Sequence, residues 1–103
     1  MNNYKTVRWR KLRERRLKLD GYMCKECRRY GKTKPADTVH HIYQSKDYPD
    51  LFWNIKNLIS LCSNCHNEMH DRTTRELTKR GIELIERNKF KISPHQVGTK
   101  LFH

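Results

Sequence analysis

Two pairs of cysteines constrain the fold of this chain more than any other feature. Cys24 and Cys27 form one C-x-x-C pair, and Cys62 and Cys65 form a second pair much later in the chain. A gap of two residues lets the backbone turn so that both thiolates face one ion, and two such turns complete a tetrahedral zinc shell with Zn–S bonds of about 2.3 Å. Four sulfur ligands leave no position for a substrate. The pattern therefore predicts a structural zinc site.

The composition indicates why such a site is needed. Only 35% of the 103 residues are hydrophobic and 33% are charged, so the core is small, and lean domains usually depend on disulfides or a metal. There is no apolar run of membrane-spanning length and no signal peptide pattern. We therefore expect a single domain over residues 1–103 in a reducing, cytoplasmic setting, where paired cysteines favour metal over disulfides. Buried free thiols are the alternative.

The formal net charge is +12, and most of the surplus lies in residues 1–39. A basic segment of this kind attracts polyanions, with nucleic acid the leading candidate, whereas the simpler interpretation is a solvated helix face. Residues 6–19 are predicted to form an amphipathic helix with Trp9 and Leu12 on its apolar face, ended by Asp20 and Gly21. The side chains expected to contact DNA phosphates are Arg8, Arg10, Lys11, Arg13, Arg15, Arg16, Arg28 and Arg29. Such contacts are salt-sensitive and weakly selective for sequence.

Residue types predict the elements that follow. Segments 37–42 and 57–62 are rich in β-branched and alternating apolar residues and are predicted to be strands. Ser63 is predicted to be the N-cap of a helix over 64–70. The connection between the strands is aromatic, and we expect its aromatic side chains to pack over the core rather than stack on bases.

The last part of the chain carries weaker signals. Thr73-x-x-Glu76 has the form of a capping box and predicts a further helix, with a break at Gly81. The tail from Asn88 to His103 is expected to be extended or poorly ordered.

The stretch "LCSNCHNEMH" (residues 61–70) places two histidines directly after the second cysteine pair. If Cys65 lies in the first turn of a helix, each following residue rotates by about 100°, so His66 points away from the zinc. His70 is four residues further on and returns to the face of His66. We therefore predict a second site on the other side of this helix, separate from the cysteines.

The order of "VHHI", "NLISLC" and "CHNEMH" resembles the HNH endonuclease family, with His41, Asn57 and His66 matching the letters of the family name. The resemblance covers residues 24–70 and extends to the four-cysteine zinc site of many members, especially the small phage-type ones. It implies an α+β fold: a zinc-stapled ββα-metal (treble-clef-like) core over 24–70, a basic N-terminal helix, and a C-terminal helical extension and tail over 73–103.

The resemblance also implies roles for individual residues. His41 would be the general base that takes a proton from the attacking water, and His40 and His66 would bind a catalytic divalent cation. His70 matches a further histidine ligand that many family members lack. Asn57 would hold the loop that orients the base.

The implied function is a metal-dependent DNA endonuclease that nicks or cuts DNA to leave 5′-phosphate and 3′-hydroxyl ends. Its cofactors would be the structural zinc and one catalytic ion, Zn, Ni, Co, Mn or Mg, with imidazole ligands suiting Mg least. We expect DNA as partner, phage terminase subunits as further partners, no membrane, a monomer or weak dimer, and the host cytoplasm as location if a phage encodes the chain. The alternative is a non-catalytic zinc-stapled DNA-binding module, which has no reason to keep His40, His41, Asn57 and His66 together.

Overall fold

The computed structural model describes residues 3–92 and contains four α-helices and two strands in that range. A 3-10 turn (Asn3–Lys5) comes first, and two more (Pro49–Leu51 and Ile55–Asn57) lie between the strands. The main elements are α1 (Val7–Leu19), α2 (Lys25–Arg29), β1 (Thr38–His41), β2 (Leu58–Leu61), α3 (Ser63–Asn67) and α4 (Lys79–Ile92). The predicted α+β class is confirmed.

β1 and β2 form a two-stranded antiparallel sheet, in which Thr38 lies opposite Leu61 and His41 opposite Leu58. Each strand is one residue shorter at both ends than predicted. Because side chains alternate along a strand, the sheet supports two cores. One core contains Trp9 and other apolar residues of α1, and the second contains all four cysteines together with the apolar residues of α4.

Helix α1 begins at Val7, one residue later than predicted, and ends at Leu19 as predicted. The side chain of Thr6 accepts the N–H of Trp9 at 3.1 Å, and the chain leaves the helix through Asp20 and Gly21, whose φ of +65° is left-handed. The buried Asp20 carboxylate accepts Nη2 of Arg16 at 2.7 Å and the backbone N–H of Ser60 at 3.0 Å. The bond from Ser60 satisfies one backbone N–H of β2 and attaches the end of α1 to the sheet.

Two predictions around α3 are wrong. Cys62, not Ser63, occupies the N-cap position, because the hydroxyl of Ser63 donates instead to the carboxylate of Asp37 at 2.8 Å. The helix ends at Asn67 rather than at residue 70. The chain nevertheless continues to turn, since the N–H of Met69 donates to the carbonyl of His66.

The predicted start of the last helix is also wrong. The N–H groups of Thr73 and Thr74 donate to Oδ1 of Asp71 at 2.8 and 2.9 Å, which forms a turn instead of a helix. Helix α4 begins after Thr78, whose hydroxyl accepts the N–H of Gly81 at 3.2 Å. Gly81 therefore lies inside the first turn of α4 and is not a break.

The aromatic connection packs against the protein, as predicted. Phe52 is buried with the residues of α1, and Tyr48 packs on the larger core. The guanidinium of Arg8 lies 3.9 Å from the ring centre of Trp53. In residues 3–92 no helix is both long enough and apolar enough to cross a bilayer.

The end of the chain departs from its prediction in part. The tail was expected to be extended from Asn88, but α4 continues through Ile92. The remainder of the predicted tail, with His95 and His103, lies outside the described residues.

Candidate active site and metal centres

The four cysteines converge in the core as reduced thiols. Sγ of Cys27 lies 3.8 Å from that of Cys62 and 3.7 Å from that of Cys65. A tetrahedron with bonds of about 2.3 Å separates its sulfurs by about 3.8 Å, whereas a disulfide needs about 2.05 Å. The cluster therefore fits a bound zinc ion and does not fit two disulfides.

Local structure favours the thiolate form at Cys62, whereas burial raises the pKa values of the Cys27 and Cys65 thiols. Burial raises the pKa of the Cys62 thiol, but hydrogen bonds from the backbone N–H of Cys65 and from the neighbouring thiols outweigh it and bring the pKa to about 7. Cys24 and Cys62 each occupy the N-cap of a short helix. This arrangement turns both C-x-x-C segments toward the same point.

Three histidines form a second cluster. One ring nitrogen from each of His40, His66 and His70 lies within 4.8 Å of the others. His40 is 2% exposed, and its Nε2 has no hydrogen-bond partner among the described residues. A buried polar atom without a partner is costly, and a divalent cation shared by the three nitrogens would satisfy it. The three histidines therefore fit a metal ion. This conclusion rests on the partnerless nitrogen of His40 and not on a sequence motif.

The protonation state of the cluster agrees with metal binding. Burial lowers the pKa of all three histidines, most strongly for His40, which also faces the positive charge that His66 and His70 would carry if protonated. All three rings are consequently neutral near pH 7. Neutral imidazole is the form that ligates metals.

His41 lies on the opposite face of β1 and has a different environment. Its Nε2 is 3.0 Å from the carbonyl oxygen of Phe52; because a carbonyl only accepts, Nε2 carries the proton and Nδ1 keeps its lone pair. The phenol of Tyr4 lies 3.2 Å from Nδ1 and donates to it. The ring stacks on Trp9 at 5.2 Å, and burial lowers the pKa of His41.

The three-histidine cluster and the ring of His41 open onto one cleft of about 450 Å³. His40 and His41 reach it from opposite faces of β1 at its end, without a bulge in the regular register of the sheet. The further residues that line the cleft include three with a side chain able to donate to a substrate and not predicted from the sequence, namely Tyr4, Lys46 and Arg75. The sequence analysis missed them because a lone tyrosine, lysine or arginine in a loop has no spacing pattern that would indicate its position.

Asn57 is fully buried and joins backbone groups of the connecting loop. Its Oδ1 accepts the N–H of Tyr43 at 2.8 Å, and its Nδ2 donates to the carbonyls of Tyr43 and Leu51 at 3.1 and 3.3 Å. Leu51 directly precedes Phe52, whose carbonyl holds His41. The amide of Asn57 therefore fixes the segment that orients the His41 ring.

The predicted DNA contacts differ in their environments. Arg16 is tied to Asp20 and also donates to the carbonyl of Ile55 at 3.2 Å, so its guanidinium is occupied and we remove it from the contact set. Arg13 donates to the carbonyl of Asp37 at 3.0 Å. The exposed members of the set are Arg8, Arg10, Lys11, Arg15, Arg28 and Arg29.

The fold and the two clusters define a small ββα-metal domain. The sequence model of the HNH endonuclease family matches residues 24–72. The crystal structure of the HNH endonuclease of the deep-sea thermophilic bacteriophage GVE2, solved with a manganese ion, is similar with a TM-score of 0.60 and 33% sequence identity, covering 62% of this chain and 70% of that chain. A search of curated proteins gives no match.

This chain belongs to the HNH endonuclease family, as its sequence pattern indicated, and it is an endonuclease. The relative is a phage enzyme of the same family, which agrees with the expected phage-type character. The assignment favours the enzyme over the alternative of a non-catalytic DNA-binding module.

Proposed function

We propose that the histidine-lined cleft is the centre of a metal-dependent DNA endonuclease, in which His40, His66 and His70 hold one divalent cation and the four cysteines hold a structural zinc. The observation that carries this proposal is the buried, partnerless Nε2 of His40, in a ring whose centre lies 5.2 Å from the ring centres of both His66 and His70. Manganese in the phage relative and the all-nitrogen ligand set make Mn, Co, Ni or Zn better candidates than Mg.

The other residues of the site have separate roles in the hydrolysis. A bound divalent cation would supply positive charge to a phosphate oxygen and to the leaving oxygen. Nδ1 of His41 takes a proton from water as the water oxygen attacks phosphorus, and the bond from phosphorus to the 3′ oxygen breaks. The 3′ oxygen takes a proton from solvent, which gives 5′-phosphate and 3′-hydroxyl ends. The carbonyl of Phe52 stabilises the resulting imidazolium, and Asn57 keeps that carbonyl in place.

The exposed basic side chains of α1 and α2 would bind the DNA backbone. Arg10, Lys11 and Arg15 on α1 and Arg28 on α2 are solvent-exposed, and arginine and lysine contacts with phosphate carry no direct sequence information. We therefore expect weak sequence specificity and strong salt dependence of binding.

Plasmid nicking tests the proposal. Wild-type protein should nick supercoiled DNA with manganese but not with chelator, and His41→Ala should lower the rate by at least about a hundredfold, within the range of general-base contributions. Asn64→Ala, at an exposed residue that does not line the cleft, is the control and should cut like wild type. Nicking by His41→Ala at the wild-type rate, with circular dichroism showing a folded protein, would remove His41 from the proposed role.

We also infer a phage setting, with action in the host cytoplasm beside terminase subunits and as a monomer or weak dimer. The similarity to the phage relative supports this setting. Sedimentation of the purified protein, alone and mixed with a terminase large subunit, would test it; a stable higher oligomer or the absence of co-sedimentation would contradict it.

A further inference from the structure

We propose that Arg75 binds a phosphate oxygen of the DNA backbone in the cleft and so is a substrate-binding residue of this enzyme. The proposal rests on the proposed function of the cleft. It concerns a residue outside the matched pattern of His41, Asn57 and His66.

The position and pairing of Arg75 indicate this role. Arg75 lines the same cleft as His41 and His70. Three other arginines of the described chain are ion-paired, Arg16 with Asp20 and both Arg80 and Arg87 with Glu26, but none of them lines the cleft. Among residues 3–92, no carboxylate lies within ion-pair distance of Arg75, so its charge faces the cleft uncompensated.

The backbone at this position is also unusual. Arg75 has a φ of +65°, a conformation in the left-handed region that favours glycine or asparagine. The loop holds it there, because its N–H donates to the carbonyl of Asp71 at 2.9 Å and its carbonyl accepts Nε2 of Gln44 at 3.1 Å. Strained residues that persist in this way concentrate at functional sites.

Arg75 also differs from the other basic side chain of the cleft in being available to a bound strand. Lys46, the other lysine or arginine among the described cleft-lining side chains, pairs with Glu76 at 3.3 Å. A guanidinium presents paired N–H donors that match two phosphate oxygens. Arg75 is therefore the side chain best placed to hold the backbone of a bound strand beside the three histidines.

The test compares Arg75→Gly with Arg72→Gly. Arg72 is an exposed residue of the same loop that does not line the cleft, so the control removes the same charge and adds the same glycine. With manganese, Arg75→Gly should reduce kcat/KM for duplex nicking by about tenfold or more, the loss expected for a charged hydrogen bond, while Arg72→Gly stays within about twofold. Arg75→Lys should recover part of the loss.

Two further measurements distinguish a failure of the Arg75 proposal from a failure of the proposed function. The melting temperature of Arg75→Gly should stay level or rise, because glycine relieves the left-handed backbone. Without divalent cation, its affinity for a short duplex should fall, and the slope of log K against log salt should shrink by about 0.9, one phosphate contact. Equal behaviour of the two glycine variants in nicking and in binding would overturn the proposal. If wild type fails to nick while Arg75→Gly alone weakens binding, the proposed function fails and the phosphate contact stands.

Discussion

At the scale of single residues, the two nitrogens of His41 have different partners. The carbonyl of Phe52 determines which nitrogen carries the proton, and the phenol of Tyr4 occupies the nitrogen that a water nucleophile would need. A hydrogen-bond donor at this position marks where the oxygen of that water would lie. Tyr4 and the nucleophile therefore compete for one lone pair.

This competition predicts that Tyr4→Phe cuts faster than wild type. The phenylalanine ring keeps the edge contacts with Trp9 and Phe52 at 5.1 Å but loses the hydroxyl. A hydrogen bond is worth about 0.5–1.5 kcal/mol net, so the nicking rate at saturating DNA should rise about two- to tenfold. Tyr30→Phe, an exposed tyrosine that does not line the cleft, is the control. A slower Tyr4→Phe enzyme would contradict the competition.

Asn57 allows a second residue-scale prediction. Asn57→Ala leaves the buried N–H of Tyr43 without an acceptor and frees two carbonyls, so the free energy of unfolding should fall by about 2–3 kcal/mol. Nicking should fall further than the unfolded fraction explains, because the Phe52 carbonyl is no longer held beside His41. Urea unfolding and nicking of the same sample measure both effects. Asn64→Ala, with no side-chain hydrogen bond in the described structure, should change neither.

The sequence predicted some site residues better than others. The spacing of His66 and His70 predicted that both rings lie at one site apart from the cysteines, and they do so, although the helix that the prediction assumed ends at Asn67. The positions of Tyr4 and Arg75 depend on contacts with residues far away in the chain, such as His41 and Gln44, and no local pattern encodes such contacts.

At the scale of elements, local capping signals explain where the prediction held and where it did not. Thr6 caps α1 and has no competitor nearby. Thr73 and Thr78 could each act as the N-cap of the last helix. The carboxylate of Asp71 binds the N–H groups of Thr73 and Thr74 in a turn, so α4 starts after Thr78. When two residues could cap a helix, packing decides which of them does so, and the sequence pattern does not show packing.

The first turn of α4 gives an element-scale prediction. A Cβ on Gly81 would lie 2.6 Å from the carbonyl oxygen of Met69 and 2.8 Å from the side chain of Leu77. Since a backbone atom cannot move aside cheaply, Gly81→Ala should lower the free energy of unfolding by about 1–3 kcal/mol. Hydrogen exchange should show α4 losing protection first. Ile82→Ala, at a half-exposed neighbour, is the control, and an unchanged or more stable Gly81→Ala would contradict the close packing.

At the scale of the whole molecule, the two clusters have separate consequences. All four cysteines belong to the larger core, so we expect folding to depend on a metal bound there, whereas the histidine cluster lines the cleft. The need for a metal staple could be predicted from the small hydrophobic content and the cysteine pairs. The cleft itself could not, because it forms only when the sheet, α3 and the 71–76 loop come together.

This separation predicts opposite outcomes for two variants. Cys24→Ser should lose zinc and its cooperative unfolding transition, because the binding free energy of a structural zinc is largely folding free energy. His70→Ala should retain zinc and a cooperative transition while losing affinity for manganese. Mass spectrometry of bound metal and thermal unfolding measure both. A Cys24→Ser protein that melts like wild type would show that the thiols do not depend on a metal.

Glu26 extends the influence of the cysteine cluster to the last described helix. It lies between Cys24 and Cys27, is buried, and accepts Arg80 and Arg87 from α4. A protein that loses the ion at the cysteines therefore also loses the anchor of residues 79–92, which are rich in lysine and arginine. Trypsin should cut this segment readily in metal-stripped protein and slowly in intact protein, so that digestion fragments report how much of a preparation is correctly loaded.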